Sequence, residues 1–130
     1  FQTFVKMLYT NQNVIRKFVE KVTDFSIELG KGFIDRGVDA IWIPDDMGYV
    51  HGPMLSPELF RKFITPSLKK MVTTFKSRGA KVLMHNDGQL MSIMDDLVDA
   101  HRCYSSLGKS GWHEPENNEK QVWRKAHFNW

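Results

Sequence analysis

Two short apolar runs, each closed by polar residues able to do chemistry, constrain this chain more than any other feature. The first is Val38-Asp39-Ala40-Ile41-Trp42-Ile43, which leads into Pro44-Asp45-Asp46. The second is Lys81-Val82-Leu83-Met84-His85, which leads into Asn86-Asp87-Gly88. Both have strand length and near-continuous apolar character, as expected of strands buried in a parallel sheet. The segments between them have helical period. Residues 11–36 place Val14, Phe18, Val22, Phe25, Leu29 and Phe33 at three- and four-residue spacing, which predicts an amphipathic helix capped at Asn11 or Asn13 and closed by Gly37. Ser56-Pro57-Glu58 is a helix start, with a hydroxyl cap, proline at the first helical position and an acid in the first turn. The helix it opens should bury Phe60, Phe63, Ile64, Leu68, Met71, Val72 and Phe75, and Pro66 should kink or split it. A third helix is expected from Gln89 to Ala100, burying Leu90, Ile93, Met94, Leu97 and Val98.

The order helix, strand, helix, strand, helix with short connections predicts parallel βα units of the α/β class, in a barrel or an open doubly wound sheet. Neither strand is followed by G-x-G-x-x-G or by G-x-x-x-x-G-K-[ST], so dinucleotide and P-loop chemistry are set aside. In a parallel sheet both strand ends lie on one face, about 5 Å apart for neighbouring strands. That brings Asp45 and Asp46 close to His85 and Asp87, with Tyr49 and His51 on the loop that follows the first strand. Individually these residues have plain readings: Asp45-Asp46 as a solvated turn, His51 as an exposed loop residue, Asp87-Gly88 as a common turn dipeptide, His85 as a buried imidazole. Together, at two adjacent strand ends, they form the candidate site. The methionines read as packing residues.

Composition narrows the classes further. The 130 residues are 42% hydrophobic and 25% charged, ordinary values for one globular domain. No apolar run approaches the roughly 20 residues that span a bilayer, and no secretory leader is visible, so neither a membrane nor a secreted protein is expected. The single Cys103 excludes an internal disulfide and suits a reducing, cytoplasmic compartment. Residues 1–100 hold 13 Lys+Arg against 12 Asp+Glu, and residues 101–130 hold 5 against 3. Neither part has a basic stripe interleaved with aromatics, so nucleic acid is not an expected partner. The first residue, Phe1, lies in mid-pattern, and the chain is expected to be an internal fragment of a longer protein.

The run GVDAIWIPDDMG…GPMLSPELFRKFITPSLKKMV, followed by SRGAKVLMHNDGQL, resembles the uroporphyrinogen decarboxylase superfamily over about residues 10–100. The shared pattern is a strand ending in aspartate, a loop ending in Leu-Ser-Pro, a helix of the form F-x-x-F-x-x-P-Y, and a strand ending in a polar turn. Ser67 departs from it, standing where the family usually has tyrosine. The resemblance implies a partial (β/α)₈ TIM-type barrel of two to three βα units, whose isolated piece is inactive. It also implies one of two chemistries, of which decarboxylation comes first because the zinc-binding pattern of the second is incomplete here. The first is cofactor-free decarboxylation of acetate side chains on a tetrapyrrole-type substrate, with Asp45, Asp46 and His85 catalytic and Tyr49, His51 and Asp87 binding substrate. The second is methyl transfer between a corrinoid, carried by a corrinoid protein, and a thiol or other acceptor. That branch uses zinc bound in part by a His-x-Cys pair. Here the matching residues are His85-Asn86-Asp87, so His85 and Asp87 would be the metal ligands, with carboxylate replacing thiolate. A non-catalytic barrel that holds a tetrapyrrole or another anion is the third reading.

Residues 101–130 break the pattern. They show no helix or strand period, yet hold three of the four tryptophans, the only cysteine and three of the five histidines. Back-translated and read one nucleotide later, His101 to Gly108 can give IDAIHPLE, and the remainder a helix and a strand start. The tail is therefore expected to be an irregular segment produced by a frame slip near Ala100. On that expectation Cys103, His113 and His127 have no functional meaning.

Overall fold

The computed structural model describes residues 2–100. The expectations for 101–130 lie outside the described residues. Helix α1 (Gln2–Thr10) runs into α2 (Gln12–Ile34), the two separated only at Asn11, whose φ of −148° and ψ of 58° break the helical path. Asn11 is thus the cap of α2, as its position predicts, although its side chain makes no capping bond.

Strand β1 (Ala40–Pro44) pairs in parallel with β4 (Lys81–His85), in the register Ala40↔Lys81 to Pro44↔His85. Between them lie a hairpin of two-residue strands, β2 (Gly48–Tyr49) and β3 (Gly52–Pro53), and a long helical segment. The two-stranded parallel sheet with helices packed on it is an α/β arrangement, and among the described residues it does not close into a barrel.

Both helix-to-strand joints use the same device. Gly37 has φ of 91°, its N–H donates to the Ile34 carbonyl, and Val38 N–H donates to Phe33. Gly79 has φ of 85°, its N–H donates to Lys76, and Ala80 N–H donates to Phe75. A left-handed residue at this point satisfies the last carbonyls of the helix and turns the chain into the strand at no Cβ cost. The device places Asp39 and Lys81 side by side, and Lys81 N–H donates to the Asp39 carbonyl at 2.9 Å, which starts the sheet.

Pro66 acts as its chemistry requires. It has no N–H to donate and its ring crowds the carbonyl four residues earlier, here that of Lys62. The segment opens as α3 (Pro57–Leu59), where Leu59 N–H donates to Ser56 Oγ at 3.3 Å, and widens into a π-helical turn at Phe60–Ile64. It then resumes as α4 (Thr65–Ser77). At the junction Thr65 N–H reaches back five residues to the Phe60 carbonyl. A π turn of this kind accommodates the proline without breaking the helix.

The core lies between helices and sheet. Ile41 and Ile43 of β1 pair with Val82 and Met84 of β4 and pack with Ile27, Phe60, Leu68, Val72 and Phe75. The last helical segment begins later than expected. Residues 86–90 form the turn and its exit, a 3₁₀ turn covers Met91–Ile93, and α5 spans Met94–Ala100. Leu90, Ile93, Met94 and Leu97 are buried as predicted, with Ala100 added and Val98 only partly covered.

Helix α2 departs most from expectation. The stripe Val14, Phe18, Val22, Phe25, Leu29 and Phe33 is exposed, Phe25 at 69%, whereas Ile15, Thr23, Ile27 and Gly30 are buried. The helix therefore turns its narrower, smaller-residue side to α4. Contact is close enough that a Cβ on Gly30 would lie 2.4 Å from the Phe75 ring. Val22, Leu29 and Phe33 of that stripe instead line a groove beside β1. In urea unfolding, Phe25→Ser should change stability by less than about 0.5 kcal/mol, while Ile27→Ala should cost about 2–5 kcal/mol. Gly30→Ala should cost about 1–3 kcal/mol through overpacking against Phe75.

Candidate active site at the strand ends

The pleat of β1 and β4 sorts their side chains onto two faces. Ile41, Ile43, Val82 and Met84 face the helices. Trp42, Leu83 and His85 occupy the opposite face, where Trp42 is 52% exposed. Trp42 and His85 touch, with ring centroids 6.1 Å apart. The register sets Pro44 beside His85, so the residues following each strand emerge together.

The structure brings Asp46, His85 and Asp87 to one point. One ligand-capable atom from each lies within 4.8 Å of the others. His85 Nε2 is 3.5 Å from Asp87 Oδ1, and Asp87 N–H donates to Asp46 Oδ1 at 3.3 Å. His85 Nδ1 is buried and has no partner among the described residues. None of the three carboxylates Asp45, Asp46 and Asp87 forms an ion pair with Lys or Arg among the described residues.

Asp45 is directed elsewhere. It lines the groove of about 530 Å³ between α2 and the free edge of β1, with Val22, Leu29, Phe33 and Ile43. It also lines an adjoining cavity of about 220 Å³ with Phe4, Phe18 and Met47, where Ser67 forms part of the wall. Desolvation against these apolar walls raises the Asp45 carboxyl above its ordinary 3.8, and the neighbouring charge of Asp46 raises it further. The residue as a whole is exposed, so solvent tempers both effects. The adjacent aspartates thus divide, Asp46 toward His85 and Asp45 toward the α2 groove.

Tyr49 and His51 sit on the hairpin, their rings in edge contact at a centroid separation of 5.9 Å. Neither side chain bonds to Asp46, His85 or Asp87 among the described residues. The hairpin backbone is nevertheless tied to the site, because Gln89 N–H donates to the Tyr49 carbonyl at 2.9 Å. Asn86 was not singled out by sequence reasoning, since Asn-Asp-Gly reads as a turn. It is 5% exposed, accepts from Gly48 N–H at 3.1 Å and donates to the Gly88 carbonyl at 2.9 Å. Only its place between two candidate residues could have marked it.

The histidine and two carboxylates lie at the carboxyl ends of adjacent parallel strands, the face on which α/β enzymes carry their chemistry. The family comparison is narrower: the model for uroporphyrinogen decarboxylase (URO-D) matches residues 1–120. The chain belongs to the uroporphyrinogen decarboxylase family. No curated protein and no solved structure matches it. No described helix is long and apolar enough to cross a membrane.

Asp45 supplies a pH prediction. Its folded-state pKa is raised, so above the ordinary carboxylate range the native state holds this proton more tightly than the unfolded chain does. Stability then falls as pH rises through the folded-state value. Asp45→Asn should accordingly be more stable than the parent at neutral pH, and the advantage should vanish well below pH 3.8. Denaturant midpoints measured across that range check the sign.

Proposed function

We propose that the chain is part of a TIM-type barrel enzyme of this family and that Asp46, His85 and Asp87 hold a zinc-class divalent cation used in group transfer. The observation that carries this reading is the convergence of three donor atoms within 4.8 Å. In a tetrahedral zinc site, ligand atoms lie about 3.3 Å apart. The His85–Asp87 pair, at 3.5 Å, is already near that spacing, and Asp46 has a short distance to close. One imidazole and two carboxylates make a three-ligand set of catalytic type, which leaves the fourth position for substrate. The set is harder than one containing thiolate, which favours an oxygen or nitrogen environment around the ion.

Charge supports the same choice. Two carboxylates approach a histidine with no Lys or Arg to neutralise them among the described residues. Such a cluster stabilises a cation and opposes an anion. A zinc ion bound here would supply Lewis acidity, lowering the pKa of a thiol or other acceptor that receives a methyl group from a corrinoid partner. Asp46 is aimed by the Asp87 N–H, Trp42 walls the imidazole, and Nε2 is the His85 nitrogen that faces Asp87.

The second reading, cofactor-free decarboxylation of a tetrapyrrole-type substrate, draws its support from the family match. Asp46 and Asp87 would accept hydrogen bonds from pyrrole N–H groups, and protonated His85 would return a proton to the carbon that loses carbon dioxide. It ranks below methyl transfer because the substrate's acetate groups would meet the same unneutralised carboxylates.

Metal analysis and zinc titration of the chain separate the two readings. The expected result is one zinc per chain, with affinity lost on His85→Ala and strongly reduced in Asp46→Asn and Asp87→Asn. Asp35→Asn, which removes only the surface pair with Arg78, should bind as the parent does. Absence of zinc binding, together with saturable binding of a porphyrinogen, would reverse the ranking.

A further inference from the structure

The side chains of His85 and Asp87 reach the candidate site, while the residue between them turns inward. Asn86 is buried, and its amide spans two segments that are not neighbours in sequence. Its Oδ1 accepts from Gly48 N–H and its Nδ2 donates to the Gly88 carbonyl. One partner is a donor and the other an acceptor, so only a carboxamide in this orientation satisfies both. The two backbones meet without room for a side chain: a Cβ on Gly88 would lie 2.1 Å from the Gly48 carbonyl carbon and 2.5 Å from Tyr49 N. Gln89 N–H closes the same junction on the Tyr49 carbonyl.

We propose that Asn86 is a positioning residue, whose amide locks the loop carrying Asp46 onto the turn carrying Asp87 and thereby sets the spacing of Asp46, His85 and Asp87. Gly48 lies two residues beyond Asp46, so holding Gly48 N–H fixes the path on which the Asp46 carboxylate reaches the Asp87 N–H. The same lock holds the hairpin bearing Tyr49 and His51 against the strand ends. The functional meaning of the lock rests on the cation reading, whereas its geometry does not.

The test uses hydrogen exchange and zinc titration on the 130-residue chain. Asn86→Ala should accelerate exchange at Gly48, which loses its acceptor, and also at Asp87, whose own bond runs to Asp46 and not to Asn86. Each acceleration should be about tenfold. Zinc affinity should fall about 10- to 100-fold, as it does when groups that orient metal ligands are lost. Gly88→Ala attacks the junction from its other side and should produce the same pair of effects. Asn86→Asp keeps the acceptor for Gly48 and replaces the donor to Gly88 with a carboxylate oxygen that opposes the Gly88 carbonyl. It should protect Gly48 while weakening the junction, and it carries the comparison if the alanine variant does not fold. Faster exchange at Gly48 with unchanged exchange at Asp87 and unchanged zinc affinity would overturn the proposal, leaving Asn86 a local packing group. If the parent chain binds no zinc, the cation reading fails, and exchange at Asp87 still decides the positioning role.

Discussion

Everything at the candidate site depends on the parallel pairing of β1 with β4. The register that sets Pro44 beside His85 fixes where each strand gives out, and so where Asp46 and Asp87 leave the sheet. A slip of β4 by one residue would turn His85 toward the helices and Met84 away from them. The pairing is protected from such a slip by what lies behind it. Val82 and Met84 are buried against Phe75, Val72 and Leu97, and Phe75 is itself packed over Gly30 of α2. A contact between a glycine and a phenylalanine on two helices therefore supports the geometry of a site on the opposite side of the sheet.

The helical segment after the hairpin contributes in a different way. Ser56 and Pro57 start it immediately after the loop, and the π turn lets it pass Pro66 without losing its direction. Phe60 then stays in the main core while Phe63 joins Leu8, Ile15 and Leu59 in a smaller cluster against α1 and α2. The extra residue in the turn thus serves two apolar clusters from one continuous helix. Arg61 also reaches Asp96 of α5 at 2.9 Å, although half-exposed pairs of this kind add little stability.

Much of this was legible in the sequence because it is periodic or is marked by glycine and proline. The two strands, the Ser56-Pro57 start, the Pro66 interruption and the Gly37 stop follow from local chemistry. What was not legible depends on contacts distant in sequence. Period alone assigned α2's apolar stripe to the core, yet the face that packs is the one whose Gly30 admits Phe75. The hairpin strands are two residues each, too short for any pattern. Asn86 resembles an ordinary turn residue until its partner, Gly48, is placed beside it. The neighbouring Asp45 and Asp46 are chemically identical in sequence, and only the path of the chain beyond Pro44 separates them.

That separation bears on the chemistry. Two adjacent carboxylates facing one pocket would repel each other and share protons, a strand-end arrangement suited to acid–base work. Here they diverge. Asp45 meets apolar walls and is pushed toward its neutral form, whereas Asp46 points to a histidine, a second carboxylate and a backbone donor. Among the described residues the carboxylates on the strand-end face pair with no Lys or Arg, and Asp46 accepts from the Asp87 N–H while Asp87 lies beside His85. Solvated charge of this kind gains most from a counter-ion that several oxygens can share, because a divalent ion interacts with both carboxylates at once and with the imidazole lone pair as well. The electrostatics of Asp46, His85 and Asp87 thus support the proposed cation reading.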